Sequence, residues 1–433
     1  MKPIKLNAPL SLSSEFNAAL NEMEQSSNHI FITGRAGTGK STLLNLFTST
    51  TKKKAVVLAP TGIAALNVRG QTIHSFFRLP PKMVDKSDVG KRKNHYFYKK
   101  IDTIIIDEIS MVRADMMDLI DHFLQVNREI AKPFGGVQMI FFGDLFQLPP
   151  IIANPVEREL ITARYESPYF FSAHVLEDRD SFDIIELHKV FRQDEKHFIR
   201  LLDNIRTREF DYDDMEDLNR RHLPVTEQQD FYITITTRNK IVNSINTQRI
   251  KEIDLPSFYY PAKISGHFNE SIYPTAPILE LKVGSQVMFI KNDPEKNFVN
   301  GTIGKIVHLD QDSIKVAIQT KEEEIKYIDV VKLEWEMTKY ALDEKNNKVV
   351  SESIGSFEQY PLKLAWAITV HKSQGQTFDR AIIDIGSGAF EYGQTYVALS
   401  RCRTLDGVIL KRPIKPSDVI VDERVTEFYQ QRR

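Results

Sequence analysis

The sequence predicts an α/β fold with two parallel-sheet cores and a β-rich insertion in the second. Three observations carry this. Short apolar runs without polar alternation recur between helical stretches through the first half of the chain; the same texture opens near residue 230 and returns at Leu362; and between residues 256 and 355 it gives way to short strands and turns. Such runs read as strands buried on both faces, and strand–helix–strand repetition implies a parallel sheet covered by helices on both sides.

The chain is large enough for this. Its 433 residues, 42% hydrophobic and 27% charged, correspond to about two to four domains at roughly 100–200 residues each. That composition excludes disorder, a collagen-like repeat and a disulfide scaffold. The single cysteine, Cys402, cannot form an internal disulfide, which fits a reducing compartment. No stretch approaches 18 consecutive apolar residues, and residues 1–12 hold no apolar core of a signal peptide, so neither a membrane span nor a targeting peptide is expected. Lys plus Arg number 57 against 58 Asp plus Glu, a net charge of −1 that excludes a histone-like binder.

Strands are predicted at residues 30–33, 55–58, 103–107, 139–142 and 184–185, with helices between them at 41–47 and 114–126. A strand at 231–236 opens the second set, and a helix carrying Ile241, Val242, Ile245 and Asn246 follows. The β-rich stretch offers strands at 286–290, 303–307, 314–318 and 326–328, with turn chemistry at Asn300-Gly301 and Asp310-Gln311-Asp312. Strands at 381–385 and 408–410 complete the resumed α/β texture.

The strand at 30–33 runs into Gly34-Arg35-Ala36-Gly37-Thr38-Gly39-Lys40-Ser41, which satisfies G-x-x-x-x-G-K-[ST] and precedes a helix. Glycine lets the backbone N–H groups of Gly37, Thr38 and Gly39 curl around phosphate oxygens where side chains would clash. Lys40 then pairs with the β and γ phosphates, and the Ser41 hydroxyl ligates Mg²⁺. The buried run at 104–106 ends in Asp107 and Glu108. Asp107 is placed to hold the metal shell, and Glu108 to orient or deprotonate a water attacking the γ-phosphate. The acid pair, without a later Asn-Lys-x-Asp, favours ATP hydrolysis over a GTPase switch. After the next strand, Gln147 in Gly143-Asp144-Leu145-Phe146-Gln147-Leu148-Pro149-Pro150 either senses the γ-phosphate or belongs to a proline-stiffened turn.

Further motifs follow in order: Ala59-Pro60-Thr61-Gly62-Ile63-Ala64-Ala65, Gly70-Gln71-Thr72-Ile73-His74-Ser75-Phe76, Asp107-Glu108-Ile109-Ser110-Met111, Phe191-Arg192-Gln193, Ala367-Ile368-Thr369-Val370-His371-Lys372-Ser373-Gln374-Gly375 and Tyr396-Val397-Ala398-Leu399-Ser400-Arg401. In this series, from residue 34 to about 403, the chain resembles the superfamily 1B DNA helicases of the Pif type (the petite-integration-frequency family), relatives of the RecD-like helicases, in a compact bacterial or core-only form. The helical stretch at 111–123 is similar to that family's signature helix.

The resemblance implies two RecA-like P-loop domains with ATP between them. The first spans 1–185 with a small wedge insertion at about 64–77; the second spans 186–255 and 356–433; an SH3-like β-barrel occupies 256–355. It implies that Arg192 and Arg401 reach the γ-phosphate as arginine fingers, that Gly375 lies near the phosphates, and that Asn17 stands where the family carries an adenine-reading glutamine. Pro60, Thr61, His74, Ser75, Phe76, His371 and Lys372 fall on motifs that line single-stranded DNA. These residue types suit that role, with hydroxyls and lysine for phosphates and His and Phe as platforms for bases. The activity implied is ATP- and Mg²⁺-dependent 5′-to-3′ unwinding by a cytoplasmic monomer acting on single-stranded and on tailed or forked duplex DNA, with G-quadruplex resolution and work at replication forks. A RecD-like recombination subunit, or a nucleic-acid-stimulated ATPase that remodels protein, would use the same motor. The basic, aromatic stretch 91–100 has the mix expected of a nucleic-acid contact but matches no family motif, and reads at least as well as a solvated loop entering a helix; the acidic stretch 211–217 reads as a solvated, DNA-averse face.

Overall fold

The computed structural model describes residues 13–432 except 81–83, 153, 179–180, 194, 226–229, 294, 321–322, 344–345 and 347. The targeting-peptide expectation for residues 1–12 lies outside this range. Among the described residues no helix is long and apolar enough to cross a membrane.

The first core is a six-stranded parallel sheet formed by β1 (Ile30–Gly34), β2 (Ala55–Ala59), β3 (Gln71–Thr72), β4 (Thr103–Ile106), β5 (Gln138–Phe142) and β6 (Asp183–Leu187), in the order β3-β2-β4-β5-β1-β6. The order turns back between β1 and its neighbours, so the carboxyl ends of β1, β4 and β5 open on one crevice, where ligands bind in such sheets. Covering helices include α1 (Ser14–Gln25), α2 (Lys40–Thr50), α3 (Gly62–Asn67), α4 (Ile73–Phe77), α5 (His95–Lys99), α6 (Ala114–Arg128) and α7 (Pro155–Arg164). Strands β1, β4 and β5 are buried along their whole length, which is why they lack alternation in the sequence.

The second core carries α8 (Lys196–Thr207), α9 (Tyr212–Asn219), β7 (Ile233–Thr236) and α10 (Asn239–Glu252) before the insertion. The insertion contains β8 (Phe258–Pro261), β9 (Lys263–Gly266), β10 (Ile278–Leu281), β11 (Gln286–Phe289), β12 (Ile303–Leu309), β13 (Ile314–Gln319), β14 (Ile325–Val330), β15 (Leu333–Asp343), β16 (Lys348–Gln359) and β17 (Leu362–Leu364). The second core then resumes with β18 (Ala367–Thr369), β19 (Ala381–Asp384), α11 (Gln394–Leu399), β20 (Val408–Leu410) and α12 (Glu423–Gln431). Its sheet, β18-β7-β19-β20, is parallel throughout.

Two expected boundaries move. The segment 64–77 is no separate wedge. Gln71 and Thr72 pair with Leu58 and Ala59 as the edge strand of the first sheet, and Ile73, Phe76 and Phe77 on α4 turn into its core. Their i, i+3, i+4 spacing buries one helix face, and an independent excursion of that length would have no core of its own. The second boundary lies later than residue 355. β17 is antiparallel to β11 and completes the insertion's sheet β14-β13-β12-β11-β17, so the parallel sheet resumes only at Ala367.

Two elements cross between units. The long β15–β16 hairpin reaches the first core, where Tyr340 Oη accepts from the Val57 N–H at 2.9 Å and the Gln71 side-chain amide donates to the Thr338 carbonyl at 2.7 Å. In the other direction α12 leaves the second core and buries Val425 and Phe428 in the first, with Phe428 stacked on Phe171 at 4.3 Å. The basic stretch 91–100 is partly neutralised, since Lys91 and Lys99 both pair with Glu129. The acidic stretch is partly structural rather than fully solvated: Asp211 caps α9, and Asp214 is buried, accepting from Asn204 at 2.6 Å.

His29, just before β1, accepts from the Met139 N–H through Nδ1 at 3.0 Å and packs edge-on against Phe134. Burial pushes its pKa down to about 4. The folded state therefore holds His29 neutral, while the unfolded chain takes up a proton below about pH 6.5, so this contribution is present above pH 6.5 and is lost as pH falls towards 4. Between pH 7 and 5 it amounts to about 2 kcal/mol. Urea unfolding of the wild type and of His29→Phe at both pH values measures it; an acid dependence unchanged by the substitution would contradict the assignment.

Candidate nucleotide and nucleic-acid site

The phosphate loop leaves β1 and enters α2. Gly37 (φ +84°) and Gly39 (φ +85°) hold the left-handed backbone the loop requires. Each is also crowded: a Cβ on Gly37 would lie 2.6 Å from Cβ of Arg192, and one on Gly39 would lie 2.8 Å from the Phe16 ring. Lys40 Nζ donates to the carbonyls of Gly34 at 2.6 Å and Arg35 at 3.0 Å, bridging back across the loop. Burial pushes the Lys40 pKa down to about 8, opposed by the charges of Asp144 and Glu108. Thr38 is buried, its hydroxyl donating to Arg35 O, and Ser41 is exposed on the first turn of α2.

Asp107 follows β4, its N–H bonded to Leu58 O at 2.9 Å. Burial, and then the neighbouring Glu108, push the Asp107 pKa up to about 7, and burial raises Glu108 as well, against the fields of Lys40 and Arg401. Glu108 has φ +51°, a left-handed conformation that costs a non-glycine residue of order 1 kcal/mol. Two adjacent carboxylates held above their ordinary range lower their energy when a cation arrives. Among the described residues no group of three or more His, Cys, Asp or Glu is gathered to hold a metal. An ion at Asp107 would therefore complete its shell from Ser41, phosphate oxygens and water, the ligand set that Mg²⁺ takes. The donor set fits that ion.

Asp144 and Gln147 follow β5. Gln147 is buried and its amide donates to Asp144 Oδ2 at 3.3 Å, so its polar end faces the crevice floor. Arg192 lies over Gly37 and donates to Ser400 O at 3.3 Å; burial pushes its pKa down to about 9. Arg401 is only 1% exposed, donating to Val397 O at 2.9 Å and Ser400 Oγ at 2.7 Å, and its charge lies within the fields of Glu108 and Asp144 across the crevice. Gly375 has φ +73° and open space beside it. Asn17 is exposed on α1, whose next-door Phe16 covers Gly39 and meets Phe191 edge-on at 6.0 Å.

Pro60 and Thr61 follow β2, and Thr61 caps α3 through the Ala64 N–H. They share a cleft of about 250 Å³ with His74, Met111, Arg113, Met116 and Glu157. His74 Nδ1 is buried there without a hydrogen-bond partner among the described residues, and burial holds the ring below its ordinary pKa. Ser75 is exposed beside it. Phe76 departs from expectation. It is buried, with Phe77 at 4.9 Å, Tyr98 at 5.7 Å and Phe97 and Tyr340 at 6.1 Å all edge-on, so no ring face is offered to a base. The helical phase of α4, which turns His74 and Phe76 to different sides, is the reason. His371 and Lys372 form a second group on the turn after β18, with Lys372 exposed and Lys363 beside it.

Motif reading passed over three polar side chains at the crevice. Asp144 and Tyr396 sit inside quoted motifs but carried no assigned role; Arg206 lies on the amphipathic α8, where no local pattern marks it.

A family model described as PIF1-like helicase matches residues 11–214. The ATP-dependent DNA helicase Pif1 of Bdellovibrio bacteriovorus is 32% identical over 434 residues, covering 98% of this chain and 92% of the relative. This chain belongs to the PIF1-like helicase family. Several longer relatives exceed it, and it spans 63% of two of them. Among solved structures, Bacteroides sp Pif1 in complex with ADP-AlF4 matches at TM-score 0.88 and 37% identity over 97% of this chain and 96% of that one. Bacteroides Pif1 bound to ssDNA matches at TM-score 0.68 and 39% identity with the same coverage. The likeness to PIF1-like helicases, in sequence and in three dimensions, extends over nearly the whole chain and includes the parallel-sheet α/β architecture.

Proposed function

We propose that this protein is an ATP-dependent DNA helicase that moves 5′ to 3′ on single-stranded DNA. The observation that carries the reading is the gathering of Lys40, Asp107, Glu108 and Arg192 at one crevice between two α/β cores, one of which bears Pro60, Thr61 and His74 and the other His371 and Lys372. The solved relatives contribute the rest: one is a complex with ADP-AlF4 and another is bound to ssDNA.

In this reading Lys40 neutralises the β and γ phosphates. Ser41 and Asp107 would hold Mg²⁺, which when bound would offset phosphate charge. Glu108, its pKa raised by burial, orients the attacking water and takes its proton. Arg192 is already over the loop, and Arg401, held by its own core within the field of Glu108, stabilises the developing charge as the cores close. Gln147 leaves Asp144 to reach the γ-phosphate, and the exposed Asn17 takes the adenine edge. Pro60, Thr61, His74 and Ser75 hold the strand on one side and His371 and Lys372 on the other, without Phe76. Closing and opening the cores then shifts one grip past the other.

The family resemblance supports the 5′-to-3′ direction and action on forks and G-quadruplexes. Partial duplexes with a 5′ or a 3′ single-stranded tail test the polarity. Unwinding of the 5′-tailed substrate is expected. Unwinding confined to the 3′ tail would overturn the polarity, and ATP hydrolysis with no strand separation would point to a protein-remodelling ATPase.

A further inference from the structure

Three side chains of the second core bear directly on the nucleotide crevice of the first. Tyr396 Oη, on α11, accepts from the Ala36 N–H of the phosphate loop at 2.8 Å and lies 3.3 Å from Asp144 Oδ2, to which it donates. Arg206, on α8, grips the same carboxylate, with Nη2 at 2.9 Å and Nε at 3.2 Å from Oδ1. Asp203, one turn earlier on α8, pairs with Arg35 of the loop. The result is one continuous path from loop N–H to tyrosine to carboxylate to guanidinium.

The path is dry. Asp144, Arg206 and Tyr396 are all buried. The Arg206 guanidinium lies 4.5 Å over the Phe146 ring, Phe146 stacks on Tyr429 at 5.4 Å, and Tyr429 Oη is bonded to Thr33 on β1 at 2.8 Å. In such surroundings charges act strongly on one another, and removing one partner of a buried pair leaves the other uncompensated. Asp144 has two cations in its field, Arg206 and Lys40. While Arg206 neutralises it, Lys40 remains available to a phosphate; without Arg206, the carboxylate competes with the phosphate for Lys40.

We propose that Tyr396, Arg206 and Asp144 are positioning residues that couple the arrangement of the two cores to the shape and charge of the phosphate loop. This rests on the reading of the crevice as an ATPase site. When the second core shifts, Tyr396 and Arg206 move with α11 and α8, the Ala36 N–H loses its acceptor, and Asp144 turns its charge on Lys40. By linkage, nucleotide held at the loop biases the cores towards the arrangement in which Tyr396 reaches Ala36. A strand that spans both cores can then change ATP turnover without touching the nucleotide.

Tyr396→Phe, Arg206→Met and Arg206→Met with Asp144→Asn test this by fluorescent ADP binding, ATP turnover with and without single-stranded DNA, and thermal melting. Tyr396→Phe keeps the ring and removes both hydrogen bonds. It is expected to bind ADP within about threefold of the wild type while the DNA-stimulated kcat falls roughly tenfold, so that the stimulation ratio collapses. Arg206→Met is expected to weaken ADP binding about tenfold or more, with Asp144→Asn restoring most of it. A Tyr396→Phe protein with an undiminished stimulation ratio would overturn the coupling, as would a folded double variant no better than Arg206→Met. If Arg206→Met fails to fold, the Tyr396→Phe ratio decides alone. A wild-type protein that hydrolyses no ATP sinks the underlying reading instead; one that hydrolyses it normally while Tyr396→Phe is unaffected sinks only the coupling.

Discussion

Lys40→Ala abolishes ATP hydrolysis, lowering turnover by at least about 10²–10³-fold, while single-stranded DNA binding stays measurable. The lysine serves in two ways at once. In the proposed function its ammonium is the cation that the loop itself brings to a γ-phosphate, and its bonds to Gly34 O and Arg35 O hold the loop across its own mouth. Alanine removes both and leaves two carbonyls without their donor. Pro60, Thr61 and His74 lie around a different cleft, beyond the end of β2, and His371 and Lys372 lie on the other core, so the proposed strand-binding surface keeps its shape. Fluorescence anisotropy with a labelled oligonucleotide and no nucleotide checks this. Loss of DNA binding by a folded Lys40→Ala protein would contradict separate sites.

Phe76→Ala is expected to destabilise the protein by about 3–5 kcal/mol, the range for an aromatic ring deleted from a packed core. The ring contacts four aromatic neighbours drawn from α4, α5 and the β15–β16 hairpin, so truncation opens a cavity where the insertion meets the first core. Phe76→Leu should recover most of the loss. An exposed base-stacking residue would behave oppositely: melting would hold and single-strand affinity would drop by about 1–3 kcal/mol. Melting curves and oligonucleotide titrations of both variants separate the outcomes.

The same residue marks where sequence reading stops. Residues 70–76 carry a recognisable motif, and the motif includes His74, which lines a cleft and whose buried Nδ1 has no partner among the described residues. It says nothing of helical phase, and two positions on from His74 the side chain points into the core. Gly37, Gly39 and Lys40 were legible because the loop's chemistry is local: positive φ and close approach demand glycine within a few residues of the lysine. Asp107 and Glu108 were legible because they end the apolar run 104–106. Leu362–Leu364 was misplaced because a short apolar strand has the same composition whether its neighbour is parallel or antiparallel, and its partner β11 lies far back in the sequence.

The contiguous sequence thus carries the α/β class, the order of the motifs, the phosphate loop and the acid pair, since each depends on residue types adjacent along the chain. Contacts between distant segments lie beyond it. Arg206 meets Asp144 across 62 positions, and Tyr396 meets Ala36 across 360. Whether Arg401 is buried or Phe76 faces solvent is likewise settled by packing, because burial and electrostatics act between neighbours in space, and only the folded chain makes these residues neighbours.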